Sequence, residues 1–583
     1  MKGQLLRSSR AVISIRNALS HASKIALLLW CALVLLVIST PGQDINSASA
    51  PQAHDSAAAR SADPASEFDQ VIDRVVEHQH LFIAEMRNLH PLVETYIQNF
   101  GRHKHAEGEL VGDHYFLGRL DLTAGSRDRS LLGQPDLSHR LLSELPALYR
   151  LRFLPLGFAQ MALLDDDFQR KYYSFSFVGW EFLGEIRCLV LNVTPKKNSG
   201  TGRFLGRIWV EDQDYNIVRF EGTYTPRPSF AYYVHFDSWR QNVQPGIWLP
   251  AYIYSEELPL RHALDRGLRL KAQTRLWAYE PDQLKRMQEF TRITVESSDV
   301  ADRADGPRES APVEGQRQWE SEAEVNAIEQ LEKVGLMAPP GEAEKFLQTV
   351  ADNLLASNEL KIEPEVRIRI LLISPLESFT VGHTIVVSRG LLDVLPDEAS
   401  LAVILAHELG HIALGHNLDT KFAFNDRMFF PDEDTFQRLN FLHNAKDEEA
   451  ADKKGAVLLA NSPYKDDLAN ARSFLEAVRR CAPQLKSLIR PHLGESIANL
   501  QLPGPANSAM ESGIRRDAPV AMLPLGTRIK LNPWSNRIES MNTKAAASSA
   551  EHIAPFELTP SPPDLTWFSS ASSGKVEAKV QAH

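Results

Sequence analysis

Cysteine is scarce in this sequence. Only Cys31, Cys188 and Cys481 occur in 583 residues, which excludes a disulfide framework and leaves no C-x-x-C pair for a thiolate metal site. Positive charge is also limited, because 63 Lys and Arg residues stand against 74 Asp and Glu residues and give a net charge of −11. That balance argues against nucleic-acid binding, which needs a basic surface. No apolar run of membrane-spanning length follows Ile38, which argues against an enzyme embedded in a membrane.

The N-terminus does contain one apolar run. Ile25–Ile38 is apolar throughout, and the 24 residues before it contain five basic and no acidic residues. As a helix this run would span roughly 21 Å, short of the roughly 30 Å of a bilayer core. Length, flanking charge and the small residues of Ala48–Ala50 predict a cleaved signal peptide within residues 1–50, with a retained N-terminal anchor as the alternative. Both predict an exported protein of the periplasm or cell envelope, and the anchor would add membrane association.

Two changes of composition follow. Residues 51–66 are rich in Ala, Ser and Asp and predict a disordered linker. Helical spacing of apolar residues over Glu67–Gln98 predicts one long helix. From about Asp113 to Val295 the sequence is dense in β-branched and aromatic residues separated by turn-forming pieces, which predicts a strongly curved antiparallel sheet. Residues 67–298 are therefore predicted to form a helix-plus-sheet domain.

One hairpin pattern in this domain resembles a known family. The sequence GRIWVEDQDYNIVRFEG at Gly206–Gly222, and the order of a long helix before a curved sheet, resemble the LolA-like superfamily of lipoprotein carriers. The resemblance implies a concave apolar surface that holds an acyl chain or an unfolded segment, and hence a lipoprotein or acyl ligand for the β domain. The alternative is a docking or spacer domain whose aromatic residues only form its core.

The residues that indicate chemistry are concentrated in Leu401–His411, which contains H-E-x-x-H within an apolar run. On a helix, His407 and His411 leave the same face one turn apart, so their imidazoles can bind one Zn²⁺. Glu408 then lies beside the first ligand, where it can act as general base toward the attacking water. A chance match on a buried helix is the alternative.

A zinc site in a hydrolase needs three protein ligands and one open position. The best third candidate is Glu448, within the acidic sequence Asp447–Asp452, whose surroundings have helical composition. Asp452, one turn further along the same face, can accept a hydrogen bond from a ligand imidazole and fix its orientation. The small residues Ala450 and Ala451 allow this helix to pack closely against the helix of the motif. The alternative is that Glu448 is one of several solvated acids.

These two motifs together resemble a known family of enzymes. H-E-L-G-H followed some forty residues later by E-x-x-A-D is similar to the M48 family of zinc metallopeptidases, which includes periplasmic, BepA-like members. The resemblance spans about residues 322–480 and implies a zincin-type domain with one Zn²⁺ per chain. It implies His407, His411 and Glu448 as metal ligands, Glu408 as general base, and a supporting role for the acid at the end of the second motif.

The sequence upstream of the first motif is similar to the edge strand and turn of the same family. The resemblance implies a strand over Ser378–Val387 that pairs with an extended polypeptide substrate through backbone hydrogen bonds. Phe379, Gly382 and His383 would lie along that edge. His383 departs from the family, which usually has a second glycine there.

Together these patterns predict an α+β multidomain fold: a long helix with a curved antiparallel sheet, then a mainly helical zincin-type domain with a small sheet. We predict a linker at 299–320 and the zinc metallopeptidase domain at 321–500. A Pro/Ser/Ala-rich, partly disordered tail is predicted at 501–583. Outside the motif, His416 is predicted to be structural or exposed. His443 is predicted to be a surface histidine, with contact to substrate as the alternative.

The function predicted is that of an exported zinc-dependent metalloendopeptidase. It would hydrolyse peptide bonds of envelope proteins, in protein quality control, with polypeptides as substrates and no role for nucleic acid. The alternative is an envelope factor that binds or assembles lipoproteins or unfolded clients, with a zinc domain that is dormant or serves as a scaffold.

Overall fold

The described part of the chain begins with a helix that leads into a large sheet. The computed structural model describes residues 64–101, 110–121, 127–130, 161–164, 167–200, 203–225, 234–257, 268–279, 325–416, 441–502, 529–532, 537–540, 556–563 and 565–568. The predicted signal peptide or anchor, the linker at 299–320 and most of the C-terminal tail lie outside these residues.

Helix α1 (Pro64–Met86) begins inside the predicted linker and precedes one ten-stranded antiparallel sheet. Its strands are β1 (Leu92–Gly101), β2 (Leu110–Asp121), β3 (Arg127–Ser130), β4 (Tyr173–Leu183), β5 (Ile186–Pro195), β6 (Arg203–Glu211), β7 (Ile217–Thr225), β8 (Val234–Gln244), β9 (Ile247–Glu257) and β10 (Leu268–Trp277). The spatial order is β3-β2-β1-β10-β9-β8-β7-β6-β5-β4. The sheet is thus a series of hairpins in which the first strand pairs with the last, Leu92 opposite Trp277.

The prediction of a single helix over Glu67–Gln98 is wrong in its second half. The helix ends at Met86, and β1 follows. In β1 both sets of alternating side chains are buried, for example Tyr96 on one side and Ile97 on the other. A strand buried on both faces lacks clean polar alternation, so its apolar residues also match helical spacing.

Each face of the sheet is covered by a different part of the chain. Helix α1 covers one face, where Ile72 and Val75 share a core cluster with Ile97. Residues of the later regions 325–416 and 441–502, with the C-terminal segment around Phe556, Leu558 and Leu565, cover the other face, which includes Tyr96 and Trp277. The side-chain amide of Gln98 binds this segment through the carbonyl of Phe556 and the amide of Leu558, both at 2.8 Å. Both halves belong to one compact unit, Pro64–His583.

The second half is mainly helical. Residues 325–334 are helical, and the helices that follow are α2 (Glu342–Ser357), α3 (Arg389–Val394), α4 (Glu398–Leu414), α5 (Ala445–Ala460), α6 (Ala469–Cys481) and α7 (Lys486–Ile489). A small mixed sheet has the order β11-β13-β12-β14, with strands β11 (Arg367–Leu371), β12 (Glu377–Val381), β13 (Thr384–Ser388) and β14 (Glu495–Ser496). A separate hairpin joins β15 (Ile529–Asn532) to β16 (Arg537–Ser540). The predicted α+β fold class is confirmed.

The prediction of one strand over Ser378–Val387 is wrong. This stretch forms a hairpin, β12 and β13, with Val381 opposite Thr384. Gly382 makes the turn with φ of 59°, a left-handed conformation that glycine adopts without steric cost. Within the described residues no helix is both long enough and apolar enough to cross a membrane.

Candidate active site

Helix α4 holds the H-E-x-x-H residues rigidly in the interior. Asp397 caps its N-terminus by accepting a hydrogen bond from the amide of Ser400 at 2.8 Å, and Gly415 ends it in a left-handed conformation. Every residue from Ala399 to His411 is buried. His407 and His411 leave the same face, and their Nε2 atoms lie 3.2 Å apart.

Helix α5 crosses α4 at unusually close range because both helices have small residues at the contact. A Cβ atom added at Gly410 would lie 2.7 Å from the carbonyl oxygen of Ala451, and one at Gly455 would lie 2.9 Å from that of Ala406. No side chain larger than glycine fits at these two positions without moving a helix. The close crossing is what allows short acidic side chains on α5 to reach the histidines on α4.

Glu448 and Asp452 of α5 contact the two motif histidines. The carboxylate of Glu448 lies 3.5 Å from Nε2 of His407 and 3.4 Å from Nε2 of His411. Asp452 contacts the opposite ring nitrogen, Nδ1 of His407, at 2.8 Å. A carboxylate on Nδ1 favours a proton there and leaves Nε2 free to bind a metal. The structure thus brings together all four residues that the sequence singled out for the metal centre.

Glu408 points from the same helix toward the small sheet. Its two carboxylate oxygens accept hydrogen bonds from the hydroxyls of Ser378 at 2.6 Å and Thr380 at 2.7 Å, both on β12. Burial raises the pKa of Glu408 above its ordinary value, opposed by the charge of His407 and by these hydroxyls. The sequence interpretation missed Ser378 and Thr380, although their spacing of two residues on a strand puts them on one face.

The two outer histidines both contact His411. The prediction of a surface position for His443 is wrong, because its side chain is 1% exposed and its ring stacks on that of His411 at 3.9 Å. His416 contacts Nδ1 of His411 through its own Nδ1 at 3.1 Å. His416 therefore orients the second motif histidine much as Asp452 orients the first.

A fourth donor, Glu495, was missed entirely. It lies on the two-residue strand β14, and its Oε2 is 3.8 Å from Nε2 of His407. Its Oε1 accepts hydrogen bonds from the backbone amide of His443 at 2.9 Å and from Nδ1 of that ring at 3.0 Å. A single glutamate in an irregular segment has no spacing signal, so only the folded chain reveals it.

The donor set fits a metal ion. One atom each from His407, His411, Glu448 and Glu495 lie within 4.8 Å of one another, and mixed imidazole and carboxylate ligands suit zinc. Oε1 of Glu448 is buried and accepts no hydrogen bond. Burial, reinforced by the neighbouring carboxylate of Glu495, raises the pKa of Glu448 to about 7. Two carboxylates forced this close favour a cation between them.

A cavity of about 540 Å³ opens beside these residues. His407, Glu408 and Glu448 line its inner side, and Leu442 and Leu500 contribute an apolar rim. An extended peptide could therefore approach the four donors from this side.

The three residues proposed for the substrate edge lie on the β12–β13 hairpin, of which only Ser378 lines the cavity. Phe379 is buried and stacks on Phe441 at 4.6 Å, while Gly382 and His383 form the turn of the hairpin. On its other side β12 pairs with β14 only at Glu377 and Ser378. Contact of Phe379, Gly382 and His383 with substrate stays a prediction.

The segment that contains α4 also matches a family model. Residues 342–429 match the model of peptidase family M48. The M48 match runs from α2 through strands β11, β12 and β13 and the H-E-x-x-H helix, and it supports a zinc-dependent metallopeptidase. Glu448 and Glu495 lie beyond its end. No curated protein matches this chain significantly.

Solved structures resemble about a third of the chain at low identity. A DUF1329 family protein from Desulfovibrio piger is 14% identical over 36% of this chain and 93% of its own, with a TM-score of 0.20. A domain described as an outer membrane lipoprotein-sorting protein from Vibrio parahaemolyticus is 10% identical over 35% and 93%, with a TM-score of 0.18. The MucA/MucB complex of Pseudomonas aeruginosa is 10% identical over 36% and 94%, with a TM-score of 0.13. At these TM-scores the likeness says nothing about what the β domain binds.

The contact between Asp452 and His407 yields a first prediction. Replacing Asp452 by Ala should weaken zinc binding about 10- to 100-fold, because His407 loses the partner that fixes its ring. A competition titration against a chromophoric chelator measures this. Glu449→Ala is the matched control, since Glu449 lies on the same helix, is exposed and pairs with Lys453 at 2.6 Å. Equal affinities for both variants would contradict the orienting role.

Proposed function

We propose that this protein is an exported zinc-dependent metalloendopeptidase that hydrolyses peptide bonds of envelope proteins in protein quality control. The observation that supports it best is the convergence of His407, His411 and Glu448 beside the buried Glu408, at the edge of a cavity in an M48-like segment. Export rests on the N-terminal sequence pattern alone.

His407, His411 and Glu448 would hold the metal. When bound, zinc supplies Lewis-acid polarisation of the scissile carbonyl and lowers the pKa of a water molecule. Asp452 and His416 keep the two imidazoles oriented, because each contacts the ring nitrogen that faces away from the other donors.

Glu408 is the group that moves protons. The pKa of Glu408 is raised toward neutral pH. Such a pKa suits a residue that accepts a proton from the attacking water and returns it to the leaving amine. The hydroxyls of Ser378 and Thr380 hold both oxygens and so fix the direction from which the proton is taken.

Removal and return of the metal tests this function. The purified protein is expected to cleave casein, an unfolded substrate, to stop after treatment with a strong chelator, and to recover with one equivalent of Zn²⁺. Mg²⁺ is the matched control ion, because it prefers an all-oxygen octahedral site and should not restore cleavage. Cleavage that survives complete zinc removal would contradict the proposal.

A second candidate function, capture of an unfolded or lipidated client by the β domain, is favoured by one observation. Strand β4 lies at the end of the sheet and exposes Phe177, Trp180 and Phe182 by 51%, 51% and 66%. An edge strand with exposed aromatic side chains can add an extended chain by β-pairing. If this is the main activity, casein will bind the wild-type protein without being cut, and the chelator will leave binding unchanged.

A further inference from the structure

Strand β4 forms one edge of the large sheet. Among the described residues it pairs with β5 alone, and it is the last strand in the spatial order. The strand has 11 residues and contains neither proline nor lysine, the residues that commonly protect such an edge from pairing with another chain. Phe177, Trp180 and Phe182 are each more than half exposed on it. A long apolar edge of this kind is suited to pairing with a further strand.

A β-bulge in the middle of β4 places these aromatic side chains on one face. The register with β5 shifts between Phe177 and Gly179, so Val178 is an extra residue. Side chains on a regular strand alternate between the two faces, and one extra residue shifts that alternation by one position. Phe177 and Trp180, three residues apart, therefore lie on the same face, where their rings are 6.4 Å apart. Phe182 follows Trp180 on this face.

The bulge lies at the midpoint of the aromatic positions, which gives β4 a two-fold symmetric pattern. Phe175 and Phe177 precede it, and Trp180 and Phe182 follow it with the same spacing. When two β4 strands pair antiparallel, Phe177 of one copy lies opposite Trp180 of the other, and Phe175 lies opposite Phe182. Directly opposite residues of antiparallel strands share a face, so each of these contacts joins two aromatic rings. A second copy of this chain therefore matches the edge.

The charged residues around β4 follow the same symmetry. Lys171 precedes the strand and is exposed, while Glu181 and Glu185 are exposed at its other end. Arg187 also lies at this end, but its guanidinium is paired with Asp212 at 3.5 Å. Antiparallel pairing of two copies brings Lys171 of each copy next to Glu185 of the other. Opposite charges thus meet at both ends of the paired strands, as a self-complementary two-fold contact requires.

We propose that this protein forms a two-fold symmetric dimer in which the β4 strands of two copies pair antiparallel. The two ten-stranded sheets then continue into each other, with a double row of aromatic side chains across the junction. The candidate active site takes no part in this pairing, so the dimer does not depend on the proposed peptidase activity. The pairing occupies the edge that capture of an unfolded client by β4 needs, which makes these two uses of the strand alternatives.

A charge at the midpoint of β4 tests the dimer. Gly179 lies beside the symmetry axis, and an added Cβ atom meets no other atom within 4 Å, so a larger side chain fits the separate chain. Gly179→Glu places two like charges together in the dimer and should raise its dissociation constant at least about a hundredfold. Gly179→Lys should do the same. An equal mixture of the two variants should regain the dimer, because the facing charges are then opposite. Sedimentation velocity over a range of concentrations measures the mass of each sample.

The matched control is Gly179→Ala, which adds a methyl group without charge and should remain a dimer. Circular dichroism and urea unfolding midpoints equal to those of the wild type verify that the charged variants are folded. The proposal would be overturned by a wild-type protein that stays monomeric at every concentration, by a dimer that persists in both charged variants, or by a mixture that stays monomeric. Casein that binds a monomeric wild type and is lost with Gly179→Glu would overturn it in favour of client capture.

Discussion

Replacing Glu408 by Gln is expected to lower the rate of casein cleavage by about three to four orders of magnitude while zinc stays bound. The amide cannot accept a proton from water, so the step that the carboxylate performs is lost. Zinc should remain because Glu408 is outside the group of four donors and turns instead to Ser378 and Thr380. Initial rates measured beside metal analysis of the same samples give both values.

The Glu408→Gln variant is expected to keep its fold, and a matched control is available on helix α5. Gln has the size of Glu and keeps one oxygen that can accept from a β12 hydroxyl, so the buried site should retain its shape. Glu449→Gln, on the exposed side of helix α5, should cleave at the wild-type rate. Undiminished cleavage by Glu408→Gln would show that another group takes the proton and would remove the central role from the H-E-x-x-H motif.

The residues of the two helices could be found from the sequence because helical spacing relates them. His407 and His411 are four residues apart, as are Glu448 and Asp452, and each pair therefore shares one face of its helix. Bringing the faces together needs a close helix crossing, which the small residues of α4 and α5 permit. Helical spacing in the sequence is therefore enough to predict most residues of the candidate site.

Glu495 and His443 could not be found in this way. Neither lies in an element with a regular spacing signal. The hydrogen bonds that place Glu495 are donated by the backbone amides before β14 to the carboxylate of Glu377, and they join parts of the chain more than a hundred residues apart. Such placement depends on tertiary contacts alone. Tertiary burial also misled the prediction at β1, whose two buried faces mimic helical spacing. The hairpin at Gly382 was read as one strand because β-branched residues lie on both sides of the turn.

Removal of a buried charge that joins the two halves of the protein is expected to have the largest effect on stability. Glu94 lies on β1 with 1% exposure, and one of its oxygens accepts hydrogen bonds from Arg389 at 2.8 Å and from the hydroxyl of Ser374 at 2.9 Å. The other accepts from the hydroxyl of Tyr115 at 3.0 Å and from the backbone amide of Ser374. Glu94 therefore belongs to the sheet domain while its partners Ser374 and Arg389 flank the β12–β13 hairpin of the peptidase region.

Glu94→Ala should lower the free energy of unfolding by about 3–5 kcal/mol, because it removes the carboxylate that pairs with the buried Arg389. Arg389 is wholly buried and already has two unpaired nitrogens, and Arg275 lies 3.7 Å from the same carboxylate at 8% side-chain exposure. Urea unfolding followed by tryptophan fluorescence measures the change.

The matched control is Glu342→Ala, which removes an acid from an exposed ion pair with Lys345. It should leave the unfolding midpoint nearly unchanged, because solvent screens both charges of that pair. A Glu94 variant as stable as this control would mean that the hydrogen bonds and ion pairs of Glu94 contribute nothing to the joining of the two halves. Loss of stability with Glu94→Ala, by contrast, would mean that the sheet domain supports the β12–β13 hairpin. Its partner Arg389 begins helix α3, which directly follows that hairpin.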